Sequence, residues 1–250
     1  MTVYRRPDPI PVPRKAFGAS APAPVADERG GLHHRVSKQL FIAIAAGELK
    51  GILPNEYALS EELGVSRTAL REAIKALISK GLVETRRRRG TMVLDRSRWN
   101  MLDADVVSWS REVGAAHQIS RHLWTAIVST QPTLARLAAG KRGASRVLSA
   151  ASLVQEARND LFDRAIAFAD FHIEVANASG NPFLTSLIVT CFENLLKDDI
   201  AFVQSLAAGS NPAKAGQIAA LIAGGHAEES ERAMRNYVCN AIEMELTELT

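Results

Sequence analysis

The chain has 250 residues, 47% of them hydrophobic, which is enough for two modest domains with separate cores. Its formal charge of +3 hides an asymmetry: residues 1–100 hold 18 Lys and Arg against 10 Asp and Glu, a net of +8, whereas residues 101–250 hold 12 against 17, a net of −5. The basic front suits a polyanion and the acidic rear does not, while the lack of any long apolar run or apolar N-terminal stretch argues against a membrane span and a secretory signal.

Residues 1–30 carry Pro7, Pro9, Pro11, Pro13, Pro22 and Pro24 and almost no large apolar side chain. Such a segment cannot bury enough surface to offset its ordering entropy, so a disordered arm is expected, with Arg5, Arg6, Arg14 and Lys15 solvated rather than bound to phosphate. From Leu32 the pattern turns helical: Leu32, Val36, Leu40 and Ile44 recur every four residues until Gly47. Asn55 is a fair N-cap for a second helix over 56–63, and Gly64 breaks it. Ser66 then caps a third helix over 67–79, which Gly81 stops. Two strands are expected near 82–85 and 91–94, joined by the turn Arg86–Arg87–Arg88–Arg89–Gly90.

This order defines a front domain over residues 31–95, a linker over 96–105 carrying Trp99, and a rear domain over 106–250. The rear shows no β-alternation. Helices are expected at 104–112, 116–139, 144–159, 162–178, 182–207, 213–223 and 226–248, with Pro132 bending or interrupting the second of these. The fold class is therefore mainly α: a winged helix-turn-helix followed by an all-α antiparallel bundle. Cys191 and Cys239 lie outside any C-x-x-C pair, give no zinc or redox signature, and are expected to be small core residues of a cytoplasmic protein.

The third helix has two faces. Leu70, Ile74, Leu77 and Ile78 fall at helical spacing and should face inward. Arg67, Arg71 and Lys75 are spaced four apart and form one outward stripe. Ser66, Thr68 and Ala69 stand at the helix start, the part that enters the major groove in helix-turn-helix proteins. Arginine can bond two acceptors on a guanine edge, and a hydroxyl at a helix start can take a phosphate. A solvated charged face is the ordinary meaning of such a stripe, but here it sits in the right element of a complete motif. In the arginine turn four cations repel one another unless a polyanion is near, and Gly90 permits positive φ and close approach to a phosphate, which favours Arg89 as a contact.

The stretch LPNEYALSEELGVSRTALREAIKALISKGLVETRRRRGTMV at 53–93 resembles the GntR family of winged-helix transcriptional regulators. WNMLDADVVSW at 99–109, ARLAA at 135–139, FH at 171–172 and ASGNP at 178–182 are similar to its FadR-type (FCD) branch. The resemblance implies a homodimeric regulator, commonly a repressor, that binds a pseudo-palindromic operator in double-stranded DNA. Its rear domain would sense a small molecule such as an organic acid, a sugar acid or an acyl compound. Arg67, Arg71, Arg89 and Gly90 are the implied DNA contacts, with Ser66 and Ala69 beside them. One position departs: Tyr57 stands where the family usually has arginine, so a cationic contact is replaced by a phenol that can still donate to a phosphate. The loop 47–53 is also shorter than usual.

The rear departs further. Many members hold a divalent metal with an aspartate one helical turn before the histidine of FH and two later histidines. By alignment these positions are Phe168, His172, Ala215 and Tyr237, so only His172 remains and no metal cofactor is expected; Asp170 and His226 are poor substitutes. Ile127 stands where an arginine often grips a carboxylate, and Gln131 where glutamate is common. The resulting pocket of Ile127, Gln131, Phe168, His172, Ala215 and Tyr237 is more apolar than usual, fitted to a hydrophobic or acyl ligand or without one. An enzyme is disfavoured: there is no H-E-x-x-H, G-x-S-x-G or phosphate loop, and His117 and His122 lie on different helix faces. A non-specific nucleic-acid binder would follow salt alone, which the groove-facing arginines argue against.

Overall fold

In a computed structural model, the structure describes residues 31–157 and 160–247, with side chains through Cys239. The expected arm over residues 1–30 lies outside the described residues. The chain divides into two compact units, one ending at Ala116 and the other beginning at His117.

The first unit contains α1 (Leu32–Ala45), α2 (Glu56–Leu63), α3 (Arg67–Ser79), the hairpin β1 (Val83–Arg86) and β2 (Gly90–Val93), and α4 (Ala104–Ser110). Both inferred caps form. The Asn55 side chain accepts from the Ala58 amide at 2.9 Å, and Ser66 Oγ from the Ala69 amide at 3.1 Å. Gly64 closes α2 in the left-handed conformation at φ 63°. Gly81 is required twice over: its φ is 75°, and a Cβ there would collide with the Arg98 carbonyl.

The core packs Val36, Leu40 and Ile44 of α1 against Leu70, Ala73, Ile74 and Leu77 of α3. Ile78, expected to face inward, is 40% exposed. Ala73 fills that side instead, since at 100° per residue positions 70, 73, 74 and 77 already complete a buried stripe. The hairpin pairs Val83 with Val93 and Arg86 with Gly90. A third short segment joins it. Leu53 donates to the Thr91 carbonyl, Val93 donates to the Gly51 carbonyl, both at 2.8 Å, and Ile52 bridges Met92. The sequence reading missed this addition.

Residues 96–105 are not a free linker, and the helix after them belongs to the first unit rather than to a rear domain starting at 106. Trp99, Val106 and Trp109 are buried in the same core as Phe41, which meets the two indoles at 5.6 and 5.5 Å between ring centroids. Lys80, at the end of α3, reaches Asp103 at 2.7 Å and Asp105 at 2.8 Å, and lies over the Trp109 ring. His34 on α1 meets Asp105 at 3.3 Å. Burial works against both charges, but Asp103 and Asp105 still hold the Lys80 ammonium above its usual range, and Lys80 and His34 hold Asp105 below the usual carboxylate range. Two indoles and a half-buried ion cluster thus tie this segment down, a constraint that apolar periodicity does not reveal. After α4, Val113 and Gly114 leave helical geometry, Gly114 at φ 94°.

The second unit is all helix: α5 (Ala116–Ala138), α6 (Ala144–Glu156), α7 (Leu161–Ser179), α8 (Pro182–Asp198), α9 (Ile200–Gly209), α10 (Pro212–Ala223) and α11 (Ala227–Thr247). α7 is the central element, packing on α6, α8 and α9, while α10 packs on α6 and α11. Of the two outcomes expected at Pro132, interruption does not occur: α5 runs through it. The proposed single helix over 182–207 breaks at Asp199, whose backbone leaves the helical region and whose carboxylate caps the Phe202 amide at 3.3 Å and accepts from the Ser120 hydroxyl at 2.5 Å. Cys191 is buried, as expected, but Cys239 is exposed.

Candidate nucleic-acid interface

Helix α3 presents a charged ridge because Leu70, Ala73, Ile74 and Leu77 are turned into the core, with Ile78 left exposed beside the cations. Arg67, Thr68, Arg71 and Lys75 are exposed, and Ser66 and the half-buried Ala69 flank them at the helix start. No cation of the ridge is left to itself. The Arg67 guanidinium lies over the Tyr57 ring, 5.8 Å from its centroid. Arg71 Nε donates to Glu56 Oε2 at 2.7 Å, and Lys75 Nζ to Glu72 Oε1 at 2.8 Å. The Lys75 hydrogen bond and charge hold the Glu72 carboxyl below its usual range. Ser66 spends one oxygen lone pair on its cap and keeps its hydroxyl proton for another acceptor.

The wing tip is Arg87–Arg88–Arg89, between the paired residues Arg86 and Gly90. The Arg89 amide donates to the Arg86 carbonyl at 3.0 Å, which tightens the turn. Gly90 takes φ 84°, the positive value inferred from sequence. Arg88 also takes a positive φ, 66°, which costs an L-residue about 1 kcal/mol and was not anticipated. Arg87, Arg88 and Arg89 are all exposed, whereas Arg86 approaches Glu84 at 2.6 Å, an ion pair without hydrogen-bond alignment.

Two partners of the ridge cations were missed by sequence reasoning: Glu56 and Glu72. Glu56 was visible inside L-P-x-E and Glu72 at three residues before Lys75. The Glu72–Lys75 pair lies within α3 at i,i+3 and was open to the same spacing argument as the stripe, whereas the Glu56–Arg71 pair depends on how α2 packs against α3, which one-dimensional spacing does not give.

In the second unit the expected pocket residues Ile127, Gln131, Phe168, His172, Ala215 and Tyr237 are all buried. Phe168, His172 and Tyr237 form one ring cluster, with centroids 4.7 Å apart for Phe168–His172 and 5.8 Å for His172–Tyr237. Gln131 joins by donating from Nε2 to the His172 carbonyl at 3.0 Å. Ile127 on α5 and Ala215 on α10 are fully buried aliphatic residues, and among the described residues no side-chain hydrogen bond or ring contact joins either to this cluster. Trp124, Phe171 and Phe192 complete the cluster and were missed, although Trp124 stands at helical spacing from Ile127 and Gln131. Neither nitrogen of His172 has a hydrogen-bond partner, nor do Gln131 Oε1 and Trp124 Nε1. Burial pushes the His172 imidazole down to about 3, so it is neutral. Burial likewise pushes the Tyr237 phenol up to about 12, against the opposing pull of Ser210 and Arg164.

These neighbours do not suit a divalent ion. His172 is walled by Trp124, Phe168, Phe171, Phe192 and Tyr237, and among the described residues neither of its nitrogens is bonded to a carboxylate or a second imidazole. Asp170 and His226 are both exposed. Among the described residues, no group of three His, Cys, Asp or Glu side chains could hold a metal. Nor is any helix of the described residues long and apolar enough to cross a membrane.

Residues 32–93 match the family model for bacterial regulatory proteins of the gntR family. The chain is 36% identical over 163 residues to the HTH-type transcriptional regulator YieP of Escherichia coli K12, spanning 62% of this chain and 70% of that protein. It is 33% identical over 140 residues to the galactonate operon transcriptional repressor of the same organism, spanning 55% of this chain and 61% of that one. Among solved structures, Lar, which controls the expression of the Listeria monocytogenes agr system, covers 86% of this chain at a TM-score of 0.50 and 20% identity, with 97% of its own length aligned. That likeness is one of fold: a winged front unit followed by helices. Its relatives are regulators and not enzymes, and with the winged unit matched and a YieP-like sequence carried well past it, the chain belongs to the GntR family of DNA-binding transcriptional regulators.

Proposed function

We propose that this regulator is a homodimeric, sequence-specific repressor. The carrying observation is the exposed ridge Arg67–Arg71–Lys75 on a helix held to the core by the buried Leu70, Ala73, Ile74 and Leu77, beside an exposed arginine wing. In this reading α3 enters the major groove, Arg67 and Arg71 address base edges, Ser66, Thr68 and Ala69 line the helix start, and Lys75, Arg89 and Gly90 meet phosphates. One such helix reads only a few base pairs. Two copies on half-sites about one helical turn apart supply the missing specificity and explain the expected palindromy. The galactonate operon relative is a repressor by name, which supports repression as the sign of control.

The test is selection from a random duplex pool followed by competition. The selected duplex should outcompete random duplex, and Arg67→Ala should remove that advantage while leaving salt-dependent binding. Equal competition by random duplex for the unaltered protein would overturn the reading.

The second unit, in the same proposal, pairs the two copies and holds an effector against the His172 cluster. Four unpartnered buried polar atoms on His172, Gln131 and Trp124 support a ligand with an apolar body and a hydrogen-bonding end, such as an acyl compound, and not a metal chelate. A ligand-free second unit is the competing reading, favoured by the full-sized, buried rings of Phe168 and Tyr237 at positions where the family resemblance implies metal ligands. Thermal-shift screening with acyl, sugar-acid and hydroxy-acid compounds decides between them, since a binder at a hundred times its Kd adds about 2.7 kcal/mol of stability.

A further inference from the structure

We propose that Tyr57 and Glu56, adjacent in the first turn of α2, are positioning residues that set the poses of Arg67 and Arg71 before DNA arrives, and that operator discrimination depends on the Tyr57 ring. This rests on the reading of Arg67 and Arg71 as base-addressing residues.

Asn55 fixes the start of α2 through its bond to the Ala58 amide, so the two residues after it leave the helix in set directions toward α3. Tyr57 is an exposed aromatic with no core to fill, and the Arg67 guanidinium lies over its ring at 5.8 Å. Glu56 Oε2 takes the Nε–H of Arg71 at 2.7 Å. Both contacts leave the reading chemistry intact. Stacking uses the π-face of a guanidinium and none of its in-plane N–H groups, so Arg67 keeps its full fork. A carboxylate on Nε occupies one edge of Arg71 and leaves the terminal NH1 and NH2 pair, which matches the O6 and N7 acceptors of guanine. An unsupported arginine must freeze several torsions when it meets a base; one already held in place loses less.

Tyr57 thus differs in role from a phosphate donor. A phosphate contact strengthens binding to every duplex alike, whereas a buttress under a base-reading arginine strengthens binding only where the right base is present. Glu56 adds selectivity of its own, because its carboxylate repels a phosphate and so disfavours docking in which Arg71 drifts to the backbone.

The experiment uses the full chain and the duplex it selects from a random pool, plus single-base-pair variants of that duplex. The readout is the ratio of affinities for selected and altered duplex. Tyr57→Ala should lower this ratio about two- to five-fold, the scale of an exposed cation–π contact. Y57F keeps the ring and should restore the ratio, and Y57A should have no further effect in an R67A background. The proposal is overturned if Y57A leaves the ratio intact while R67A lowers it, if Y57A weakens all duplexes equally, or if Y57F behaves like Y57A, which would make the phenol a backbone donor. Failure of R67A to alter the ratio would instead sink the base-reading role beneath it, so the two failures are distinguishable.

Discussion

The two units treat polar groups in opposite ways. In the first, the outward cations of α3 each meet an aromatic face or a carboxylate, and the half-buried Lys80 is neutralised by two aspartates. In the second, a histidine is sealed among aromatic rings with neither nitrogen bonded. Charge on the surface remains available to a partner at little cost, because surface ion pairs stabilise by only about 0–1 kcal/mol and are readily exchanged. An unsatisfied buried group costs about 1–3 kcal/mol and gains when something supplies the missing bond. The first arrangement suits recognition of a polyanion on contact; the second suits response to a molecule that enters.

The sharpest way to break this contrast is to remove its charged anchor. Lys80→Met leaves Asp103 and Asp105 without their shared ammonium and should destabilise the first unit by about 2–3 kcal/mol, less than for a fully buried pair, read as a lower thermal or urea midpoint. Next is Arg67→Ala, exposed and so nearly neutral for stability. It should cost about 1–3 kcal/mol of discrimination between selected and random duplex in a competition titration.

The pH dependence tests the second unit. A histidine held at about 3 when folded and near its ordinary 6.5 when unfolded binds its proton only in the unfolded chain between those values. Stability therefore falls as pH drops below 6.5, by about 1.4 kcal/mol per unit, until pH approaches 3. Replacing His172 with Phe should flatten that part of the curve in a calorimetric series, whatever its offset, and an unchanged slope would show that the imidazole is not sealed. At the small end, Arg89→Ala should reduce the salt slope of DNA binding by about 0.9, with discrimination kept. His172→Ala should leave operator affinity nearly unchanged in the absence of effector.

What could be read from the chain follows the range of the interactions involved. Asn55, Ser66, Gly64 and Gly90 act through bonds and dihedrals within a few residues, and each performs as inferred. The Arg67–Arg71–Lys75 stripe follows from helical period alone. Ile78 shows the limit of that argument, since period gives the face but not where the buried arc ends. The stack of Arg67 on Tyr57, the Asp199 break held by Ser120, and the strand-like Gly51–Leu53 segment all arise from contacts between elements. The ring cluster lies between these cases: Phe168, His172 and Tyr237 were inferred by alignment, whereas Trp124, Phe171 and Phe192 join them through packing that no alignment position marked.

The placement of Trp99 and Trp109 has a practical consequence for anyone who wishes to move the DNA-reading part between regulators. A splice after residue 95, where the winged motif formally stops, would strip two indoles and both aspartate partners of Lys80 from the half that needs them. Chimeras and excised fragments should instead keep everything up to Ala116, so that the portable module is longer than its signature.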